Sequence, residues 1–186
     1  MARRDAARSL TDPALRAELA RRVARDQKAR IAMLERPRGE RVLHTVAVVD
    51  EENARWLLEL VQSRGFPTAA QVGEGGVGDA WLLLQHADRA RQLQAALLPT
   101  LARRAVDGEL SRSDFARFTD RLLKAEGKPQ RYGTQFSPEG WTGPHFGLPD
   151  EQSVREVEAH RRELGVMPLA DYVCMMSEAR KPRPKT

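Results

Sequence analysis

One stretch of this chain, Val42-Leu43-His44-Thr45-Val46-Ala47-Val48-Val49, has the β-branched density of a strand, and no second run of that quality accompanies it. A strand without a partner leaves its backbone groups unpaired, and even an isolated two-stranded hairpin is marginal in water. The chain is therefore expected to be all-α, with 42–49 a buried apolar connector or helix end.

The other patterns are helical. Thr11-Asp12-Pro13 is a helix start, a capping side chain followed by proline in the first turn. Leu15, Leu19, Val23, Ile31 and Leu34 then follow at helical spacing to about Glu35, where Pro37 and Gly39 end the element. Asp50 reads as the cap of a second helix with Ala54, Leu57, Leu58 and Val61 on its buried face, closed by Gly65 and Pro67. A third begins at an Asp79 cap, breaks near Asp88, and meets Pro99 as a kink or restart. A fourth follows Ser111 or Ser113, carries Phe115, Phe118 and Leu122, and ends at Gly127. Residues 151–164 and 168–176 are the last two helices.

Residues 128–150 have no periodicity, but Tyr132, Phe136, Trp141 and Phe146 mark them as a packed loop. The expected architecture is one compact domain over 11–178 with about five to seven helices and this one long ordered loop. A basic tail precedes it at 1–10, and a disordered basic tail follows it at 179–186.

Charge and cysteine narrow the function classes. The net charge of +5 comes largely from the two ends, so nucleic-acid binding is not expected. The single cysteine, Cys174, excludes an internal disulfide and a thiolate zinc cluster. Its apolar neighbours Val173, Met175 and Met176 predict a buried, inert thiol. No run is long and apolar enough to span a bilayer, and a cytoplasmic location is expected.

Gly73, Gly75 and Gly78 spell G-x-G-x-x-G before a helix. A dinucleotide fingerprint also needs a preceding strand and a βαβ unit, and neither is present. Glu74 and Asp79 place negative charge where a phosphate would sit. The glycines are read as a flexible lead-in to the helix capped by Asp79.

Polar residues carry more information. His86 shares a helix face with Leu82, Leu93 and Leu97, so its ring nitrogens need partners, either as a satisfied core histidine or as a proton carrier at a pocket floor. Gln85 and Asp88 lie beside it. Asp120 and Arg121 flank the buried side of the fourth helix. Gln130-Arg131-Tyr132-Gly133-Thr134-Gln135 concentrates hydrogen-bonding groups in the long loop, where they either read a ligand or staple the loop to the domain. The four histidines are scattered without ligand spacing, and no G-x-S-x-G elbow is present. No cofactor is expected, a single metal ion being the one candidate.

Taken together, Asp26-Gln27-x-x-Arg30, Asp50-x-x-Asn53, Trp81-x-x-x-Gln85-His86-Ala87-Asp88, Asp120-Arg121, Gly127-x-x-Gln130-x-Tyr132-Gly133-Thr134-Gln135 and Arg161-Arg162 resemble a bacterial, largely actinobacterial, family of domains of unknown function. The resemblance covers about residues 20–175 and implies no reaction. It implies only which polar residues belong together.

Two functions fit. One is an enzyme acting on a small polar metabolite by acid–base chemistry, hydrolysis or group transfer, without a redox cofactor. Its catalytic groups would be His86, Asp88 and Asp120, with Gln27, Arg30, Asn53, Gln85, Arg121, Gln130, Tyr132 and Gln135 binding the substrate. The other is a non-catalytic helical module in which the same polar network is structural.

Overall fold

The structure, a computed structural model, describes residues 9–35, 39–136 and 145–180, the last two by backbone alone. The expectations for the N-terminal tail, Pro37, Trp141 and the C-terminal tail fall wholly or mainly outside the described residues. Within them the chain is all-α: α1 Pro13–Glu35, α2 Glu40–Arg64, α3 Ala69–His86, α4 Arg91–Val106, α5 Arg112–Ala125, α6 Glu151–Leu164 and α7 Leu169–Arg180. They fall into two compact units, Met1–Ser111 and Arg112–Thr186. Among the described residues no helix is long and apolar enough to cross a membrane.

In the first unit α1 packs on α2 and α3, and α2 packs on α3. α1 begins as its sequence requires, with the Leu15 amide donating to Asp12 Oδ1 at 3.0 Å. Leu19 on α1 and Leu57 on α2 are fully buried, each worth about 1.5–3 kcal/mol of transfer free energy.

Residues 42–49 are neither connector nor helix end but the first turns of α2. Val46, Val49, Asn53, Leu57 and Leu60 recur every three or four residues and are all buried, so one stripe runs through both segments. Val46 and Val49 pack against Ala29 and Met33 of α1. This burial outweighs the small helix penalty of a β-branched side chain. Asp50 accordingly lies inside α2 and caps nothing.

The glycine segment is helical as well. Thr68, not Asp79, caps α3: its Oγ1 accepts from the Gln71 amide at 3.2 Å, and Gln71 Oε1 accepts from the Thr68 amide at 2.9 Å. Only Gly73 departs from helical geometry, at φ 75° and ψ 165°, which kinks α3. A Cβ at Gly76 would stand 2.6 Å from Val72 Cβ and 3.0 Å from Arg16 Cδ, so the bare glycine lets the Arg16 stem lie against α3. Arg16 then donates from Nη1 to Asp79 Oδ2 at 2.7 Å, and Asp79 joins two helices instead of starting one.

The break near Asp88 is present. α3 ends at His86 and α4 starts at Arg91, running through Pro99. Gln94 bridges the break: almost fully buried, it donates from Nε2 to the Leu84 carbonyl at 3.0 Å, which also accepts from the Ala87 amide at 3.1 Å.

In the second unit Val157 of α6 and Leu169 and Val173 of α7 form a small core, with Phe136, Phe146, Leu148 and Val154 packed against it. Gly165 ends α6 in the left-handed conformation, and Gly127 follows α5 with a positive φ. Cys174 is exposed, contrary to the buried thiol its neighbours predict. The apolar residues beside it divide between faces of α7: Val173 turns inward, while Met175 is 46% exposed.

Candidate functional site

The polar residues of the first unit converge at one point. Asp26 sits on α1 one turn before Arg30, in line with buried Leu15 and Leu19, so the helix carries a carboxylate into its apolar face. Asp26 is 1% exposed. Such a group needs several partners, because a buried charge without them costs several kcal/mol.

It has three. His86, the last residue of α3, places Nδ1 2.9 Å from Asp26 Oδ1 and 3.1 Å from Oδ2. Gln27 donates from Nε2 to Oδ2 at 2.8 Å, and Arg30 donates from Nε to Oδ1 at 3.2 Å. Arg30 also reaches α2, donating from Nη2 to Asp50 Oδ1 at 2.6 Å. One guanidinium thus lies between carboxylates from two helices.

The network assigns the tautomer of His86. Arg30 Nε is 3.0 Å from His86 Nδ1, but an unprotonated Nδ1 would aim its lone pair at the Asp26 carboxylate. Nδ1 therefore carries the proton and donates to Asp26, while Arg30 Nε–H serves Asp26 Oδ1. In the neutral ring Nε2 is then the acceptor, and it has no hydrogen-bond partner among the described residues.

The two carboxyls are driven apart. Burial raises that of Asp26, but the His86 hydrogen bond, the charges of His86 and Arg30 and the Gln27 amide together outweigh it, leaving the group below its ordinary value. For Asp50 burial prevails over Arg30 and His86, and the nearby Asp26 charge adds to it, so this carboxyl lies above its ordinary value. One carboxylate stays ionised and orients a histidine; the other holds a proton more readily.

His86 and Asp50 both line a cleft of about 410 Å³ in this unit. Its walls are mainly Leu43, Val46, Ala54 and Leu58 from α2 and Ala87 and Leu93 across the α3–α4 break. Exposed Asp88 lines it also. The carboxylate on His86 is thus Asp26, two helices away in sequence, and not its neighbour Asp88.

Asp26, Asp50 and His86 also offer ligand atoms that all lie within 4.8 Å of one another. A divalent cation there would have to displace the Arg30 guanidinium, which already supplies positive charge to both carboxylates.

The other candidates of this unit stand apart from that cluster. Asn53 is buried on α2, its Oδ1 accepting from Arg22 Nη1 at 3.1 Å; its Nδ2 has no partner among the described residues. The Arg22 guanidinium lies over the Trp56 ring at 4.3 Å. Gln85 is half-buried on α3 and has no side-chain hydrogen bond among the described residues.

In the second unit the polar residues hold the loop. Asp120, expected to flank the buried face of α5, is fully buried within it. Its Oδ1 accepts from the amides of Arg131 at 2.7 Å and Tyr132 at 2.9 Å, and its Oδ2 from the amide and hydroxyl of Thr134, both at 2.8 Å. Burial raises the Asp120 carboxyl above its ordinary value, against the opposing pull of these four donors. Gln130 grips Gln135 at two points, accepting from its amide at 2.6 Å and donating to its carbonyl at 2.9 Å. Gln135 Nε2 in turn donates to the Arg117 carbonyl at 3.3 Å. Gly133 has φ 60° and a Cβ there would fall 3.1 Å from both Leu169 and Val157, so the loop passes close over the α6–α7 core.

Arg161 of α6 completes the arrangement. It is 2% exposed, donates to the Met167 carbonyl at 2.7 Å and the Tyr132 carbonyl at 2.6 Å, and lies over the Tyr172 ring. Burial lowers its pKa. Arg121 sits half-buried on α5.

A family model matches the chain across residues 13–183. The chain belongs to DUF6624, a family of unknown function. No curated protein and no solved structure matches it. The polar residues of the chain divide in two: Asp26, Gln27, Arg30, Asp50 and His86 meet around one histidine, and Asp120, Gln130, Tyr132, Gly133, Thr134 and Gln135 build one loop.

The sequence reading missed Asp50 as a site residue and did not single out Asp26 for His86. A usable signal was present for each. Asp26 follows Leu15 and Leu19 at spacings of eleven and seven on one helix face. Asp50 is the polar interruption in Leu43, Ala47, Ala54 and Leu58, a stripe visible once 42–49 is read as helix.

Proposed function

We propose that this protein is an acid–base enzyme of the hydrolase or group-transfer type, with His86 as proton carrier in the cleft of the first unit. The observation that carries the reading is the Asp26–His86 pair: a buried carboxylate holds Nδ1 at 2.9 Å, leaving Nε2 as acceptor on a residue that lines a cleft. An oriented imidazole of this kind removes a proton from a hydroxyl or a water molecule and returns it to a leaving group. Asp26 stabilises the imidazolium formed between those steps, and Arg30 keeps Asp26 in place. Asp50, in the same cleft with a raised carboxyl, is a second group able to hold a proton. Such proton transfer contributes roughly 10²–10⁴-fold to a rate.

The test is turnover of neutral aryl esters by wild type and His86→Gln, each checked for folding by circular dichroism. A loss of about 100-fold or more in a folded variant is expected. Equal rates would remove His86 from the chemistry. The same result supports the second reading, favoured by the way the network ties α1, α2 and α3 together, in which these polar groups only hold the helices.

A further inference from the structure

The cleft also limits what can reach His86. α2 has two apolar stripes. One, Val46 to Leu60, packs into the core. The other, Leu43, Ala47, Ala54 and Leu58, lines the cleft, with Leu43 47% and Leu58 40% exposed. A face of this kind gains most from a ligand that covers it.

Charge on the cleft is largely neutralised from within. Asp50 is paired with Arg30 and Glu51 with Arg55. The remaining lining charges, Asp88 and Arg89, are adjacent, opposite and exposed. Such a lining has little net field for an anion or a cation, and a charged ligand would lose its hydration against apolar walls. Beside these paired charges the lining offers His86, whose Nε2 is an acceptor, so a ligand group that meets it must donate. Among the described residues no Ser, Thr, Cys or Lys lines the cleft, so none of them places a hydroxyl, thiol or amine nucleophile beside the histidine.

We infer that the cleft takes an uncharged, largely apolar alcohol or phenol, with its free hydroxyl donating to His86 Nε2. The inference rests on His86 as the proton carrier and names the substrate class for that reaction, replacing the small polar metabolite suggested by the sequence.

A matched probe series tests it on the full chain: 2-naphthalenemethanol, 2-naphthoate, 2-naphthylmethylammonium and 2-methylnaphthalene, followed by NMR of leucine methyls and the His86 ring nitrogens. The alcohol is expected to bind with Kd of about 1 mM or tighter, the scale for a ligand of this size. It should shift the Leu43 and Leu58 methyls and His86 Nε2. The two ions should bind at least tenfold more weakly, the hydrocarbon should leave Nε2 unmoved, and Leu58→Asp should abolish binding. Equal or tighter binding of either ion, or no saturable binding of the alcohol, overturns the inference. The ester assay reports separately: an ion that binds best beside a His86→Gln variant that loses activity sinks the substrate class alone. An alcohol that binds beside an unchanged variant sinks the proton-carrier assignment alone.

Discussion

Replacing Asp26 by asparagine keeps the shape of the side chain and removes its charge from a position 1% exposed. Three donors converge there, from His86, Gln27 and Arg30. Asparagine can still accept one of those bonds, but its own amide hydrogens then face donors. Removing one partner of a buried charged pair costs roughly 3–5 kcal/mol. Arg30 retains Asp50 and the three donors are partly solvated, so the expected loss is about 2–3 kcal/mol, from charge-assisted bonds of roughly 1.5–3 kcal/mol each. For a chain of this size that lowers the melting temperature of the affected transition by roughly 4–12 °C.

The pH dependence gives this prediction its sharper edge. The folded carboxyl of Asp26 titrates below its ordinary value of 3.8, which it recovers on unfolding. Its contribution is complete above that value and is lost as pH falls through the lower folded one. Urea unfolding of wild type and Asp26→Asn should therefore show a full gap at pH 7 that narrows in acid below pH 3.8. A gap under about 0.5 kcal/mol at pH 7, the range of an ordinary surface substitution, would refute the account. So would a gap that stays constant into acid.

Arg30→Lys keeps the charge but cannot span Asp26 and Asp50 with a planar fork, and denaturant titration should show a loss of about 1–2 kcal/mol. Asp120→Ala leaves four donors without their acceptor, and amide exchange at Arg131, Tyr132 and Thr134 should accelerate at least about 100-fold, whereas unchanged protection would show the loop is held otherwise. Gly133→Ala forces a side chain into φ 60° and 3.1 Å from Leu169 and Val157, which thermal unfolding should report as about 1–3 kcal/mol. Gln94→Leu removes one of two donors to the Leu84 carbonyl at the α3–α4 break, the Ala87 amide remaining, and should cost about 0.5–1.5 kcal/mol by the same measurement.

Much of this was visible along the chain because it is local. The Thr11–Pro13 start, the Gly65 and Gly127 stops and the break after His86 depend on residues within a turn of one another. What misled were residues whose local preference and tertiary use disagree. Val46 and Val49 favour strands, yet Ala29 and Met33 make helix the better burial. Asp50 and Asp79 look like caps, yet each serves an arginine on α1. The site itself was half legible. The motifs named Asp26, Gln27, Arg30, Asp50 and His86 but did not pair Asp26 with His86, which lies sixty positions away, and no periodicity links residues at that distance.

That separation bears on how the unit is made. Arg30 and Asp26 leave the ribosome together, Asp50 follows, and His86 comes sixty residues after Asp26. Until then α1 and α2 can pair only around a carboxylate lacking one of its donors. The histidine that does the proposed chemistry is also the final piece that makes the α1–α2 face safe to bury. Synthesis stalled between residues 50 and 86 would expose that face, and nascent chains caught there are the ones a chaperone should hold.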